Sequence, residues 1–476
     1  MHEVAILGAG FSGIGMAARL LQSGIDDIVV LERAGDVGGT WRDNTFPGAA
    51  CDIPSDLYSF SFAPNPEWTR VFPPQGEILA YLRDVADRFG VRAKIRFGTE
   101  LERADWDDDA RMWRLATSGG AVEARVLVSA SGPFVDPTWP AIPGLEGFAG
   151  ARFHSARWDH GVDLTGKRVA VIGTGASAIQ LVPEVRRIAA HVDVFQRSAP
   201  WILPRLDRRT SRLRRAAFRR FPTLQRISRG FTFRAYELRW PVFANPVVGR
   251  VAGAGLSVLR RLALRDRDLA ARARPHYRVG CKRILISDDW YPALRAGNVD
   301  LVTDPIERIT ASGVVVDGVE RPADVLICAT GFAVTAPQIA HRIHGRDGRS
   351  LADAWAPHAS ALRGTAVAGF PNLFQLLGPN TTLAHNSMIA MIEAQIGYVL
   401  QALAARSDGV IEARPAAQAS YDAAIQDAMR TVVWTTGGCA SYYLDAAGRN
   451  TAAWPHGAAR FVRELRRFDP GEFSLS

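Results

Sequence analysis

The stretch that decides the fold is VAILGAGFSGIG, residues 4–15. A short aliphatic run leads into Gly8-x-Gly10-x-x-Gly13, and small residues follow. In a strand–turn–helix unit the first glycine permits the tight turn and the second lets a pyrophosphate approach the backbone. The third lets the helix pack closely on the strand. The spacing therefore predicts a Rossmann-like unit that binds a dinucleotide at the start of its helix.

An acidic residue ends the next apolar run and indicates which dinucleotide binds. The run is IVVLE, residues 28–32, and Glu32 follows Gly13 by 19 residues. An acid at this position accepts hydrogen bonds from the ribose hydroxyls of an adenosine, and its charge repels a 2′-phosphate. We therefore expect FAD or NAD, not NADP, at this first turn.

A second copy of the pattern stands at VAVIGTGASAIQ, residues 169–180, with Gly173, Gly175 and Ala178 in the glycine positions. The following strand, HVDVFQRS, places Arg197 and Ser198 where an acid would stand. A guanidinium binds phosphate oxygens in pairs and stays charged, so this turn predicts NADPH. One turn disfavours a 2′-phosphate and the other favours it, so the two turns predict two different dinucleotides in one protein. The chemistry that this pair indicates is hydride transfer from NADPH to a flavin.

The order of these units predicts the domain organisation. A Pro/Gly-rich linker, residues 131–150, precedes the second unit, and the apolar run ADVLICATGF, residues 323–332, follows it. We expect an α/β fold with two Rossmann-like dinucleotide-binding domains, for FAD and NADP, and a helical insertion. The FAD domain would comprise residues 1–135 plus 330–476. The NADPH domain would span 136–329, with a helical excursion at about 203–278. Residues 388–403 are predicted to form an amphipathic helix.

Composition narrows the class of protein. The chain has 476 residues, 47% hydrophobic and 22% charged, as in ordinary globular proteins. It has neither an apolar run of the roughly 18 residues that a membrane span needs nor a signal-peptide pattern. We expect a soluble, cytoplasmic protein without stable membrane insertion.

The net charge of +9 comes almost wholly from arginine, since only three residues are lysine. Basic charge without a recognisable motif does not indicate nucleic-acid binding, and we expect none. The arginine-rich residues 205–274 have helical spacing of apolar side chains. This pattern fits solvated amphipathic helices and also loose contact with a membrane surface.

The cysteines Cys51, Cys281, Cys328 and Cys439 lie far apart and form no CxxC pair. We expect a reduced intracellular chain with no metal site. Cys51 has no second cysteine nearby, which disfavours a disulfide reductase, the other common enzyme class that pairs FAD with NADPH.

The stretch FAGARFHSARWDH, residues 148–160, carries the most specific motif. Its fixed positions match the fingerprint F-x-G-x-x-x-H-x-x-x-W-P/D, here Phe148, Gly150, His154, Trp158 and Asp159. On this motif the chain resembles the class B flavoprotein monooxygenases, and within them the Baeyer–Villiger monooxygenases. The related N- and S-oxygenating enzymes usually end this motif with Tyr and a basic residue, and they remain the alternative.

The resemblance extends over nearly the whole chain. Residues 38–62 resemble the flavin-contacting loop of the family, although Phe46-Pro47-Gly48-Ala49-Ala50 stands where a Tyr and an Arg are common. Residues 280–294 resemble the segment with the active-site Lys-Arg pair. Residues 434–455 resemble the C-terminal segment near nicotinamide and substrate. Ser198 replaces the usual Thr and keeps a hydroxyl.

The resemblance implies a reaction: NADPH reduces FAD, O₂ adds to give a C4a-peroxyflavin, and this attacks a ketone to yield an ester or lactone. Arg283 would keep the peroxide anionic and stabilise the oxyanion, and Asp52 would orient Arg283. Lys282 would join Arg197 on the 2′-phosphate. We interpret His154 as linking domain positions during cofactor movement, with a general-base role as the alternative. The partners would be a ketone and O₂; neither the ketone nor the oligomeric state follows from the sequence.

These arguments give a full set of expected site residues, with Arg283 and Asp52 as the catalytic ones. Those expected to contact FAD are Gly8, Gly10, Phe11, Ser12, Gly13, Glu32, Gly39, Thr40, Trp41, Asp52, Tyr58, Leu101 and Met388. Those expected to contact NADPH are Gly173, Thr174, Gly175, Ala176, Ser177, Ala178, Gln180, Arg197, Ser198, Lys282 and Arg283.

Overall fold

The computed structural model describes residues 1–406 and 409–476. It contains two large sheets, and the central strands of each sheet run parallel. In chain order the strands are β1 His2–Leu7, β2 Ile28–Leu31, β3 Ile95–Arg96, β4 Leu101–Asp107, β5 Met112–Thr117, β6 Gly120–Ser129, β7 Ala151–His154, β8 Arg168–Ile172, β9 His191–Phe195, β10 Ile202–Leu203, β11 Leu285–Ile286, β12 Val299–Val302, β13 Ile306–Ile309, β14 Gly313–Val316, β15 Val319–Pro322, β16 Val325–Cys328, β17 Ile343–His344, β18 Leu373–Gln375, β19 Ile411–Ala413 and β20 Phe473–Leu475.

Helices cover these sheets and fill the long connections. They are α1 Phe11–Gln22, α2 Thr40–Asp43, α3 Gln75–Arg88, α4 Ala178–Val185, α5 Arg212–Arg220, α6 Pro222–Glu237, α7 Pro241–Ala244, α8 Pro246–Leu264, α9 Arg267–Arg272, α10 Trp290–Leu294, α11 Leu351–Ala354, α12 Met388–Arg406, α13 Pro415–Met429, α14 Val433–Thr436 and α15 Ala458–Glu464.

The first sheet has eight strands in the order β17-β4-β5-β6-β1-β2-β3, with β18 also paired to β6. Strands β1, β2 and β3 run parallel, and β1 also pairs parallel with β6. Every residue of β2 is buried, as expected for a parallel strand covered on both faces. Strands β4, β5 and β6 are antiparallel neighbours, and β5 alternates buried and exposed residues because one face meets solvent.

The second sheet has five parallel strands in the order β12-β9-β8-β16-β7. A separate antiparallel sheet of β13, β14 and β15 precedes β16. Strands β1 and β8 occupy interior positions in their own sheets, and each ends in a glycine turn. Ligands of open α/β sheets bind at such carboxyl edges. The predicted fold class is confirmed, and the domain boundaries at residues 135 and 330 remain a prediction.

The helical excursion consists of α5 to α9, which lie between the paired strands β10 and β11. Ion pairs and hydrogen bonds hold it against the first sheet's connections. The buried carboxylate of Asp56 accepts a hydrogen bond from Ser228 Oγ at 2.6 Å and pairs with Arg214. Arg229 donates to the carbonyl of Ser59 at 2.6 Å and pairs with Glu393 at 3.0 Å. One side of the excursion is therefore fixed to the body of the protein.

Helix α12 forms over the predicted residues. Its buried side chains recur at helical spacing, and the residues between them on the other face are half-exposed, so the helix is amphipathic as predicted. Its apolar side chains pack into the largest core cluster. By length and composition α12 could cross a membrane, but half of its apolar window is buried inside the protein.

Candidate active site

The first glycine turn has the geometry that a dinucleotide requires. Gly8 adopts φ +98°, and a Cβ on Gly13 would lie 1.8 Å from the carbonyl oxygen of Gly8. No side chain caps α1 at Gly10, which leaves the N–H groups at the helix start available to a phosphate. Phe11 and Ser12 are buried in the first turn of the helix. These residues fit the pyrophosphate of FAD.

The carboxylate of Glu32 lies at this turn, as the sequence predicts. It accepts hydrogen bonds at 2.9 Å from the backbone N–H groups of Ala9 and Ala34. Arg42 donates to the same carboxylate at 3.0 Å, a contact that the sequence analysis missed. The backbone donors fix the carboxylate beside the first turn, and its remaining lone pairs can accept ribose hydroxyls.

The predicted flavin loop folds back over the turn. A Cβ on Gly39, which adopts φ +50°, would lie 3.1 Å from the Cα of Gly10, so the two backbones approach closely. Thr40 begins α2, and the indole N–H of Trp41 donates to the hydroxyl of Tyr58 at 3.0 Å. The loop and the turn thus form one continuous wall that can hold an isoalloxazine ring.

The positions of two predicted FAD contacts, Leu101 and Met388, do not test their assignment. The Leu101 side chain is buried in the core beside the antiparallel strands and has no polar contact with the turn. Met388 begins α12, and its sulfur accepts a hydrogen bond from the N–H of Leu383 at 3.3 Å. Both assignments remain predictions.

The second glycine turn leaves more open space than the first. Gly173 adopts φ +113°, and a Cβ there would lie 2.5 Å from the carbonyl oxygen of Ala329. A Cβ on Gly175 would meet no atom within 4 Å, so a pyrophosphate has room to approach. Ser177 and Ala178 form the start of α4, and the hydroxyl of Thr174 donates to the Ser198 carbonyl at 3.1 Å.

Gln180 on α4 connects the two halves of the site. Its side-chain oxygen accepts a hydrogen bond from the N–H of Ala50 at 2.9 Å, and its nitrogen donates to the carbonyl of Ala176 at 2.8 Å. A Cβ on Gly48 would lie 2.6 Å from the Gln180 carbonyl oxygen. The small residues at 48–50, where the sequence departs from the family pattern, therefore let the flavin loop lie directly on α4.

Two cations meet beside the second turn. Lys282 Nζ donates to Ser198 Oγ at 2.7 Å. Burial and the neighbouring positive charge of Arg197 lower the pKa of Lys282. Within the described residues, neither cation has a carboxylate within 4 Å. An anion bound between them would remove the repulsion, so the cluster fits the 2′-phosphate of NADPH.

Arg283 and Asp52 form a bidentate ion pair, although 231 residues separate them. Arg283 Nε and Nη2 donate to the two carboxylate oxygens at 2.7–2.9 Å. Burial disfavours the charge of Arg283, but the carboxylate of Asp52 outweighs it and raises the pKa of Arg283 above its ordinary value. Nη1 makes no hydrogen bond within the described part of the chain, so a charged donor remains free at this site.

Two tyrosines lie near this guanidinium and were not singled out from the sequence. The hydroxyl of Tyr442 donates to that of Tyr443 at 3.1 Å, and both side chains interact electrostatically with Arg283. Tyr443 is fully buried, and burial raises its pKa well above the ordinary value. Its ring packs against Trp434 at 6.0 Å. The only sequence signal was the aromatic pair itself within a segment predicted to lie near the substrate.

Four fingerprint residues pack as a structural unit. Phe148 is buried, and a Cβ on Gly150 would lie 2.3 Å from the carbonyl oxygen of Asp324, so only glycine fits there. The ring of Trp158 packs edge-on against Phe153 at 5.0 Å. Asp159 accepts a hydrogen bond from the N–H of Gly161 at 2.8 Å in a tight turn. The motif shapes the chain around β7.

The fingerprint histidine lies between the two connections that join the sheets. His154 is 1% exposed, and its ring contacts Trp139 before β7 and Phe332 after β16 at 5.8 and 6.1 Å. Its Nδ1 accepts from the N–H of Ala156 at 3.1 Å, so the proton sits on Nε2, which is buried without a partner among the described residues. No lone pair is free, which argues against a general base.

Burial, helped by the positive charge of Arg157, lowers the pKa of His154 to about 4, which makes fold stability depend on pH. The unfolded chain binds this proton below about pH 6.5, whereas the folded protein does not until about pH 4. Stability is therefore full above pH 6.5 and falls as the pH drops through this window. We expect the wild type to lose about 1–2 kcal/mol more than His154→Gln between pH 8 and pH 5.

Chemical denaturation at both pH values measures this difference. His160→Gln, at an exposed histidine of the same segment, is the matched control and should keep the wild-type pH dependence. Parallel losses of stability in the wild type and in His154→Gln would contradict the assignment.

The cysteines correct one expectation. Cys281 and Cys439 form a disulfide across 158 residues, so a fully reduced chain is wrong for this pair. Cys51 and Cys328 are free and buried, and burial raises the pKa of each thiol. Cys51 is therefore a poor nucleophile. Sequence spacing carried no signal for the disulfide, since only the fold brings the two segments together.

Comparison with known proteins identifies the class. The family profile "Flavin-binding monooxygenase-like" matches residues 1–232. A Baeyer–Villiger monooxygenase of Streptomyces coelicolor is 48% identical over 100% of this chain and 93% of its own length. One of Pseudomonas aeruginosa is 44% identical over 100% and 91%. The crystal structure of OTEMO with FAD and NADP aligns over 100% of this chain and 99% of its own, with a TM-score of 0.90 and 26% identity.

The fold and the site thus define an NADPH-dependent flavoprotein monooxygenase. Within that class the chain belongs to the Baeyer–Villiger monooxygenase family. The predictions of family, fold class, enzyme class and of FAD and NADPH as cofactors are confirmed. The N- or S-oxygenating alternative is disfavoured. The cytoplasmic location and the individual site residues remain predictions.

Proposed function

We propose that the enzyme inserts one oxygen atom of O₂ beside the carbonyl of a ketone, with Arg283 as the residue that stabilises the developing negative charge. The observation that carries the proposal is the guanidinium of Arg283, which Asp52 holds through Nε and Nη2 while Nη1 is still free. Bound FAD, once reduced by NADPH, supplies the activated oxygen. Arg283 Nη1 can donate to the oxyanion that forms on the ketone oxygen, where a preformed charged donor is most effective.

Asp52 acts through Arg283. Its two oxygens hold the guanidinium in one plane, so the free edge has a fixed direction before substrate arrives. The carboxylate also offsets part of the positive charge, which lets Arg283 stay in a largely buried position. Asp52 is thus a positioning residue.

The aromatic surroundings of the pair support an apolar substrate. Tyr442 and Tyr443 lie near Arg283, and Tyr443 belongs to a buried cluster that includes Trp434 and Phe243. Such a surface has few donors to bind polar substituents but excludes water, which strengthens the interaction between Arg283 and a ketone oxygen.

The cofactor preference rests on Arg197, Lys282 and Ser198. Their cluster offers two positive charges and one hydroxyl to an anion. The 2′-phosphate of NADPH supplies that anion, and NADH lacks it. Because Lys282 and Arg283 are neighbours in sequence, nucleotide binding and oxygen transfer depend on the same short segment.

Product analysis tests this function. The purified enzyme with FAD, NADPH and O₂ is given a cyclic ketone and, separately, a thioether, and the products are identified by gas chromatography and mass spectrometry. We expect a lactone whose ring oxygen derives from ¹⁸O₂. Sulfoxide formation without any lactone, across a panel of ketones of different ring size, would refute the proposal.

A further inference from the structure

The helical excursion concentrates the positive charge of the protein. Residues 205–274 contain nineteen arginines, no lysine and four acidic residues, an excess of fifteen positive charges. The whole chain carries only +9, so the remainder of the protein is acidic on balance. The reaction uses none of these arginines in the site described above. A local field of this size favours an extended anionic partner.

Helix α6 exposes an apolar stripe. Leu224, Ile227, Phe231 and Leu238 follow one another at intervals of three, four and seven residues, which places them on one helix face. Ile227, Phe231 and Leu238 are 62%, 73% and 81% exposed. The opposite side of the helix carries Arg229, which is fixed to the body of the protein. The stripe is therefore an unpartnered surface of a well-anchored helix.

Helix α8 exposes a second stripe with the same spacing. Val248, Val251, Val258 and Leu262 follow at intervals of three, seven and four residues, and Val251 and Leu262 are 69% and 67% exposed. Residues 222–244 and α8 are bent by 103° relative to each other, so the two stripes lie on helices of different direction. Large apolar patches of this kind on a folded protein mark interaction sites.

Arginines border both stripes. Those that are exposed and have no carboxylate within 4 Å among the described residues include Arg212, Arg220, Arg226, Arg234, Arg239, Arg250, Arg261 and Arg265. Arg226, Arg234 and Leu238 also line an open depression of about 640 Å³ beside α6, whose wall includes Leu57, Phe233 and Glu237. Apolar room beside free guanidinium groups suits an acyl chain attached to an anionic headgroup.

We propose that the exposed faces of α5, α6 and α8 dock on the surface of a bilayer containing anionic phospholipid. Such a surface accepts both features at once, since apolar side chains enter the acyl boundary and arginines bind the headgroups. A nucleic acid would satisfy the charge but leave the stripes in water. A second copy of this chain would cover the stripes but bring like charges together. The proposal does not depend on the proposed function.

Vesicle sedimentation tests the proposal with the full-length, FAD-loaded enzyme. We expect binding to phosphatidylcholine vesicles that contain phosphatidylglycerol and none to pure phosphatidylcholine vesicles. Raising the salt from about 0.1 M to about 0.5 M should weaken binding strongly, because the Debye length shortens. Absence of binding to the anionic vesicles at low salt would overturn the proposal.

Double variants distinguish binding through this surface from non-specific binding of the protein to vesicles. We expect the partition coefficient to fall at least about tenfold in Arg226→Glu/Arg234→Glu and in Ile227→Ser/Phe231→Ser. Matched controls elsewhere are Arg466→Glu/Arg467→Glu and Val319→Ser, all exposed, and these should bind as the wild type does. Flavin content and turnover without vesicles should be unchanged in every variant.

Two results would overturn the proposal even if the wild type binds vesicles. One is an equal loss of binding in the control variants. The other is a dimer in analytical ultracentrifugation that dissociates in Ile227→Ser/Phe231→Ser, with vesicle binding unaffected. The second result would assign the stripes to self-association.

Discussion

Arg283→Ala should bind FAD and oxidise NADPH but lose ester formation by at least about a hundredfold to a thousandfold. The substitution removes the free Nη1 donor and its charge, while the two glycine turns stay intact. Ester yield, NADPH consumption and hydrogen peroxide release measured in the same reaction separate these steps. NADPH consumption should end in peroxide instead of product.

The nearby Arg278→Ala is the matched control. Its guanidinium hydrogen-bonds Thr436 in the same C-terminal segment but does not contact Asp52. We expect it to keep most of the ester yield. Arg283→Lys restores charge without the bidentate geometry and should recover only part of the activity. Ordinary ester yield in Arg283→Ala would remove Arg283 from the mechanism.

The second large effect concerns the nucleotide. Arg197→Ala should weaken the preference for NADPH over NADH by about 1.5–3 kcal/mol, the value of a charged hydrogen bond. Because Lys282 shares the same anion, Arg197→Ala/Lys282→Ala should weaken the preference further than either single change. The ratio of kcat/KM for the two nucleotides measures the preference.

Arg168→Ala is the control for this pair. Arg168 is on β8, in the same sheet as the second turn, but pairs with Asp324 at 2.7 Å. It should leave the nucleotide ratio unchanged. If the ratio of kcat/KM for NADPH and NADH stays at the wild-type value in both Arg197→Ala and the double variant, the 2′-phosphate is bound elsewhere.

The glycine turns could be predicted in detail because their information is local. Gly8, Gly13 and Gly173 meet backbone atoms at distances or φ values that only glycine tolerates, and the spacing records that requirement. The residues that distinguish the two nucleotides, the acidic Glu32 and the basic Arg197, likewise lie within 25 residues of their glycine turns. The geometry of a segment that folds as one strand–turn–helix unit can therefore be predicted from the sequence of that segment.

Contacts between distant segments could not be predicted from spacing. The pairing of Arg283 with Asp52 was expected only through family resemblance, and Tyr442 and Tyr443 were not singled out. The disulfide between Cys281 and Cys439 likewise had no signal in the spacing of the cysteines. Contacts of this kind are a property of the assembled fold and not of the local pattern.

The disulfide adds a mechanical constraint to the site. Cys281 precedes the Lys282-Arg283 pair and lies between two strands of the five-stranded sheet, whereas Cys439 follows the last strand of the eight-stranded sheet. It therefore fastens the arginine segment to the loop that carries Tyr442 and Tyr443. The covalent link between Cys281 and Cys439 thus limits how far the guanidinium of Arg283 and the two tyrosines can separate.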